Sequence, residues 1–181
     1  MLITEKWKWK GCVVTGRWFE GDKLKNLHPI TQVYGICFTP DGKVLVIRSN
    51  EEWTLPGGHP KKGETPEDTL IREVQEEASV ELCKWKMIGY CRVEFPQNPD
   101  RSEGDVFYQL RYVALISRIR NLLPDPATGK KVERKFIDPK EFNKYIKWGK
   151  IGRRMFKVAC EVFEKWKKEG KLLDRKKRNE S

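Results

Sequence analysis

No run of about 18 apolar residues occurs in this chain of 181 residues, so nothing in it reads as a membrane-spanning helix. The opening "MLITEKWKWKGCVV" lacks the apolar stretch of a secretory signal, which leads us to expect a cytoplasmic protein. Cysteine is sparse and unpatterned. Cys12, Cys37, Cys83, Cys91 and Cys160 are odd in number, scattered, and never paired as C-x-x-C, which argues against a disulfide framework or a thiolate metal site. There is no internal repeat, and the basic C-terminal stretch is the one low-complexity segment. His28 has no partner that the sequence identifies, and His59, beside Gly58, reads as a loop residue, with a phosphate contact as the alternative.

What is abundant is charge, at 35% of residues, with a formal net charge of +11. Its placement is uneven. Residues 31–139 hold 16 Lys and Arg against 17 Asp and Glu, whereas residues 1–30 hold 6 against 3 and residues 140–181 hold 15 against 6. A near-neutral centre therefore lies between two basic flanks. The expected organisation is an N-terminal extension over 1–30, a central domain over 31–147, and a C-terminal helix with a basic tail over 148–181. The alternating tryptophans of "WKWKGCVVTGRWFEGDKL" suit a small hairpin that covers a site or pairs two subunits, which would make the protein a homodimer.

Within the centre, "QVYGICFTPDGKVLVIRS" predicts a hairpin around Pro40, Asp41 and Gly42. "WTLPGGHPKKGE" then breaks regular structure. Thr65 is a candidate N-cap with Pro66 at the first helical position and Asp68 three residues on, predicting a helix to about Ala78. Leu70, Val74 and Ala78 form its apolar stripe, and Glu73, Glu76 and Glu77 share a different face. Strands are expected over "WKMIGYCRVEF", "DVFYQLRYVALIS" and "RKFI". A helix should open at Asp138 with Glu141 as capping-box partner, followed after Gly149 and Gly152 by another over about 153–169. Phe156, Ala159, Phe163 and Trp166 would line that last helix.

Three carboxylates on one helical face repel one another unless a positive charge sits among them. On their own they read as a solvated face with Arg72 as an intrahelical partner. Their position after a glycine-rich turn, where backbone can approach an ion or a phosphate closely, points instead to a divalent cation and metal-assisted attack of water on a phosphate.

The same stretch resembles the Nudix box, G-x5-E-x7-R-E-U-x-E-E-x-G-U, with Gly58, Glu64, Arg72, Glu73, Val74, Glu76, Glu77 and Val80 in their slots. At average residue usage, the six non-apolar matches have a chance on the order of 10⁻⁷ per starting point. One slot departs from the pattern, since Ser79 stands where the family has its last glycine. The resemblance implies an α/β fold, an α/β/α sandwich around a mixed β-sheet. It implies hydrolysis within the pyrophosphate of a nucleoside diphosphate linked to another group. It also implies Mg²⁺ or Mn²⁺ on Glu73, Glu76 and Glu77 with the Gly57 carbonyl as a further ligand. Arg72 would hold the carboxylates, and Glu73 or a downstream glutamate, Glu133 or its competitor Glu103, would be the general base. Gly58, Glu64 and Trp53 are the candidates for contacting substrate, Glu64 alternatively for supporting the site or binding an additional ion, and Trp53 alternatively as core.

The substrate is open between ADP-ribose-type compounds, to which Pro96 is a pointer, and nucleoside triphosphates, with dinucleoside polyphosphates and capped RNA ends behind them. RNA could also engage the basic C-terminal tail. The alternative from another class is a non-catalytic nucleotide- or RNA-binding module on the same fold.

Overall fold

The computed structural model describes residues 2–23, 27–49, 51–96, 105–124, 129 and 133–170. Chain order runs β1 (Ile3–Trp9), β2 (Cys12–Glu20), β3 (Ile30–Phe38), β4 (Val44–Ser49), β5 (Glu52–Thr54) and β6 (Gly57–Gly58). Then follow α1 (Pro66–Ala78), β7 (Val80–Phe95), β8 (Asp105–Ile119), β9 (Glu133–Ile137), a 3₁₀ turn (Pro139–Glu141), α2 (Phe142–Tyr145) and α3 (Gly149–Lys168). Among these, no helix is long and apolar enough to cross a membrane.

The strands form one mixed sheet in the order β1-β2-β7-β8-β3-β4-β5, with β6 alongside β3 and β9 alongside β4. Pairing is antiparallel throughout except between β3 and β8. Side chains alternate across a strand, so a strand covered on both faces is apolar at every position. In β4, Leu45 and Ile47 face a cluster holding Leu70, Val74 and Ala78 of α1. Its neighbours Val44 and Val46 face the other cluster, with Met155, Ala159, Phe163 and Trp166 of α3. α1 and α3 thus cover opposite faces of the sheet, the expected α/β/α sandwich.

The β1–β2 hairpin extends the same sheet through β2 and β7. Glu5 of β1 accepts hydrogen bonds from the backbone N–H groups of Lys150 and Ile151 at 2.7 and 2.8 Å. Arg154 of α3 clasps Glu20 of β2 at 2.6 and 2.8 Å. The two apolar tryptophans of β1 remain substantially exposed, Trp7 at 40% and Trp9 at 48%.

Several elements differ from expectation. α3 starts at Gly149, and Gly152 lies buried inside it, because the small residue lets the helix start pack closely around Trp148. Asp138 caps Lys140 N–H at 2.8 Å, but Glu141 pairs with Lys144 at 3.2 Å and closes no capping box. β7 begins at Val80, directly after α1, and the "WTLPGG" stretch contributes β5 and β6 to the sheet. Glu103 and the tail residues beyond Gly170 lie outside the described residues. The five cysteines are in no disulfide, and burial pushes the Cys160 thiol up to about 11.

The capping box at the start of α1 forms as expected, Thr65 Oγ1 accepting from Asp68 N–H and Asp68 accepting from Thr65 N–H, both at 3.1 Å. At the other end Ser79 adopts the left-handed conformation, φ 49° and ψ 45°. A non-glycine residue there costs about 1 kcal/mol. Its hydroxyl, however, accepts the Leu123 N–H at 3.2 Å, a bond worth about 1 kcal/mol. The two effects offset each other, so Ser79→Gly is expected to leave denaturant stability within about 0.5 kcal/mol of the parent. A gain of a full 1 kcal/mol would show that the hydroxyl contributes nothing.

Candidate active site

α1 presents its glutamates to the turn because its apolar stripe faces inward. Leu70, Val74 and Ala78 are fully buried beneath the sheet, which leaves residues 73, 76 and 77 along the flank beside Gly57 and Gly58. The turn is held from its other side, where Gly57 and Gly58 pair with Tyr34 and Val33 of β3. Gly57 N–H donates to Glu77 Oε2 at 2.8 Å. A Cβ on Gly58 would stand 2.5 Å from Glu73 Cδ, and one on Gly57 2.7 Å from the Tyr34 Cα. Only glycine permits this approach of backbone to carboxylate.

Arg72 ties the acids together. Its Nε and Nη2 donate to the two oxygens of Glu64 at 2.6 and 2.9 Å, and Nη2 also to the His59 carbonyl at 3.0 Å. Nη1 donates to Glu73 at 2.7 Å and to Glu76 at 3.0 Å. Glu64 accepts in addition from Lys61 N–H at 2.8 Å and Thr69 Oγ1 at 3.0 Å. The guanidinium, helped by these donors, holds the Glu64 carboxyl down at about 2, and the carboxylates in turn push Arg72 up.

The structure thus brings together Gly57, Gly58, Glu64, Arg72, Glu73, Glu76 and Glu77. It does not join Glu133 to them: at the start of β9, that side chain meets Arg48 and Lys135, each at 3.4 Å. Trp53 on β5 packs edge-on against Tyr145 with ring centres 5.2 Å apart, and the Lys135 ammonium lies 4.6 Å from its ring centre. Among the described residues, no three acidic, histidine or cysteine side chains are gathered as a ready cation site, and Arg72 pairs with both Glu73 and Glu76. The donors themselves are all hard oxygens, and the turn leaves room for no Cβ beside Glu73, features that suit Mg²⁺ or Mn²⁺.

A second feature escaped the sequence analysis. Beside the turn, on the α3 face of the sheet, lies a cavity of about 530 Å³ lined by Arg111, Tyr34, Gln32, Gln109 and Trp148. The available signal was Arg111 itself, a lone cation within the otherwise uncharged strand run "VFYQLRYVALIS".

The NUDIX domain family model matches residues 28–158, well over half of the chain. A MutT-like protein from Streptomyces ambofaciens is 41% identical over 58 residues, 31% of this chain and 37% of that relative's length. The chain thus aligns with little more than a third of that protein. Among solved structures, a mutant form of the Bacillus subtilis pyrophosphohydrolase BsRppH superposes with a TM-score of 0.61 at 17% identity, over 81% of this chain and 92% of that one. A structure from a study of MutT from Aliivibrio salmonicida and Vibrio cholerae gives 0.52 at 15% identity, over 74% and 97%. These likenesses concern the fold. With the family model spanning β3 through the first half of α3, and the box, filled in every slot but that of Ser79, placed where α1 meets its glycine turn, the chain belongs to the Nudix family.

Proposed function

We propose that this chain is a divalent-metal-dependent pyrophosphohydrolase that cuts within the pyrophosphate of a nucleoside diphosphate derivative. The observation that carries the proposal is the carboxylate flank of α1 packed against Gly57 and Gly58 and organised by Arg72. Glu73, Glu76 and Glu77, with the Gly57 carbonyl, would hold Mg²⁺ or Mn²⁺. When bound, such an ion offsets phosphate charge and polarises water.

Arg72 and Glu64 act by position, fixing the two acids that flank the guanidinium. Glu73, whose carboxylate lies against Gly58, accepts the proton of the attacking water; Glu133 faces Arg48 and Lys135 instead. ADP-ribose-type compounds and nucleoside triphosphates are the two substrate classes we put first, ahead of dinucleoside polyphosphates and capped RNA ends. The names of the similar proteins, a pyrophosphohydrolase and MutT, support the reaction class.

The test is release of phosphate or nucleoside monophosphate from a panel of both classes with Mg²⁺ or Mn²⁺, repeated in EDTA. We expect metal-dependent turnover of at least one class. Nucleotide binding without turnover of any member would establish the non-catalytic module instead.

A further inference from the structure

The cavity beside the turn contains a buried positive charge with no matching negative one. Arg111 is 5% exposed, and among the described residues no carboxylate pairs with it. Its hydrogen-bond partners are neutral, the Leu110 carbonyl and Gln109 Oε1, both at 3.1 Å, and its Nε has none. Its guanidinium carbon lies 4.5 Å from the ring centre of Tyr34 and 5.0 Å from that of Trp148. Burial pushes its pKa down, with no nearby carboxylate opposing that shift. Ring faces and neutral oxygens attract a cation without cancelling its charge, and a buried charge is ordinarily paired.

The surroundings are donor-rich. Gln109 Nε2 and Tyr34 Oη both donate to Gln32 Oε1, at 3.0 and 2.7 Å. That pairing consumes the acceptor of Gln32 and leaves its amide N–H groups as donors. Lys147 and Lys6 also line the cavity. The one carboxylate in its wall, Glu5, is engaged by the Lys150 and Ile151 N–H groups.

We propose that this cavity is an oxyanion subsite, taking a phosphate or carboxylate group that the substrate carries in addition to the pyrophosphate being cut. Tyr34 connects the two places. Its backbone pairs with Gly57, and a Cβ on that glycine would stand 2.8 Å from the Tyr34 ring at Cδ1. A ligand seated on Arg111 therefore lies next to the glycine turn. The substrate assignment rests on the pyrophosphohydrolase reading, whereas the anion site itself does not.

The experiment uses the full chain freed of divalent metal on a chelating resin, so that no metal-bound anion is read at the carboxylate flank and no turnover is needed. Inorganic phosphate is titrated while the Arg111 side-chain signals of ¹⁵N-labelled protein and the tryptophan fluorescence are followed. Acetate is titrated in parallel to separate a phosphate from a carboxylate preference, and chloride at matched ionic strength is the control. We expect saturable phosphate or acetate shifts at Arg111 that chloride does not reproduce. Arg111→Met should raise the dissociation constant at least about tenfold.

Arg111→Lys, which keeps the charge but loses the fork, should retain partial binding. The wild-type titrations stand even where a buried variant folds poorly. No saturable shift, an equal response to chloride, or undiminished binding in a folded Arg111→Met protein overturns the subsite. Anion binding without hydrolysis of any nucleotide would overturn the enzyme reading and leave the subsite standing.

Discussion

Glu77→Gln is expected to lower metal-dependent turnover by about 100-fold or more, the loss that follows when a charged ligand becomes a neutral one. The amide oxygen still accepts the Gly57 N–H that Glu77 now receives at 2.8 Å, so the turn keeps its anchor. Stability should move by no more than about 0.5 kcal/mol, which separates lost chemistry from lost fold. Single-turnover assays at saturating Mg²⁺, with thermal unfolding of the same preparation, measure both quantities. Undiminished turnover, in the variant or in EDTA, would remove the carboxylate flank from the mechanism.

Arg72→Met should produce a different signature, because Arg72 positions the acids. Turnover is expected to fall about 10- to 100-fold, the usual penalty for deleting a group that orients metal ligands. The variant should also change how stability depends on acid. With the Glu64 carboxyl held at about 2, below its ordinary 4.5, its stabilising contribution is complete above pH 4.5 and is lost as pH falls from there through about 2. Arg72 is the largest cause of that depression, so the variant should be less stable than the parent at pH 7 and the two should converge toward pH 2. Thermal unfolding across pH 2 to 7 measures the difference. Parallel curves would show that the Arg72–Glu64 pair makes no contribution to folding.

The box was legible because it is local. From Thr65 to Ala78 every requirement is met within one helix: a capping box, an apolar stripe at four-residue spacing, and acids on the flank. Ser79 was legible as a conformation, since the helix must end there in a left-handed residue. It was not legible as a contact, because its partner Leu123 lies 44 residues away. Arg111 was hidden for the same reason. Its neighbours Tyr34 and Trp148 come from β3 and from the residue that caps α3, and only the parallel register of β3 on β8 sets Tyr34 opposite Arg111. Glu133 shows the converse dependence on long-range pairing. Its place in the chain suggested a catalytic base, but pairing of β9 with β4 sets it across from Arg48. The early start of α3 reflects tertiary packing that outweighs the poor helix propensity of two glycines.

The clasp between the β1–β2 hairpin and α3 has a consequence for the order in which the chain can assemble. Glu5 meets its partners 145 and 146 residues later, and Glu20 meets Arg154 across a separation of 134. During synthesis β2 can pair with β7 once Glu94 has emerged, yet the anchoring of β1 waits until Ile151 and its helix exist. Through that interval Trp7 and Trp9 travel on a sheet edge with no helix behind them. Contacts of such long range slow folding, because the intervening chain must be ordered before they form. The lysines that alternate with these tryptophans, Lys6, Lys8 and Lys10, place charge along the waiting edge and discourage a second nascent chain from adding a strand there.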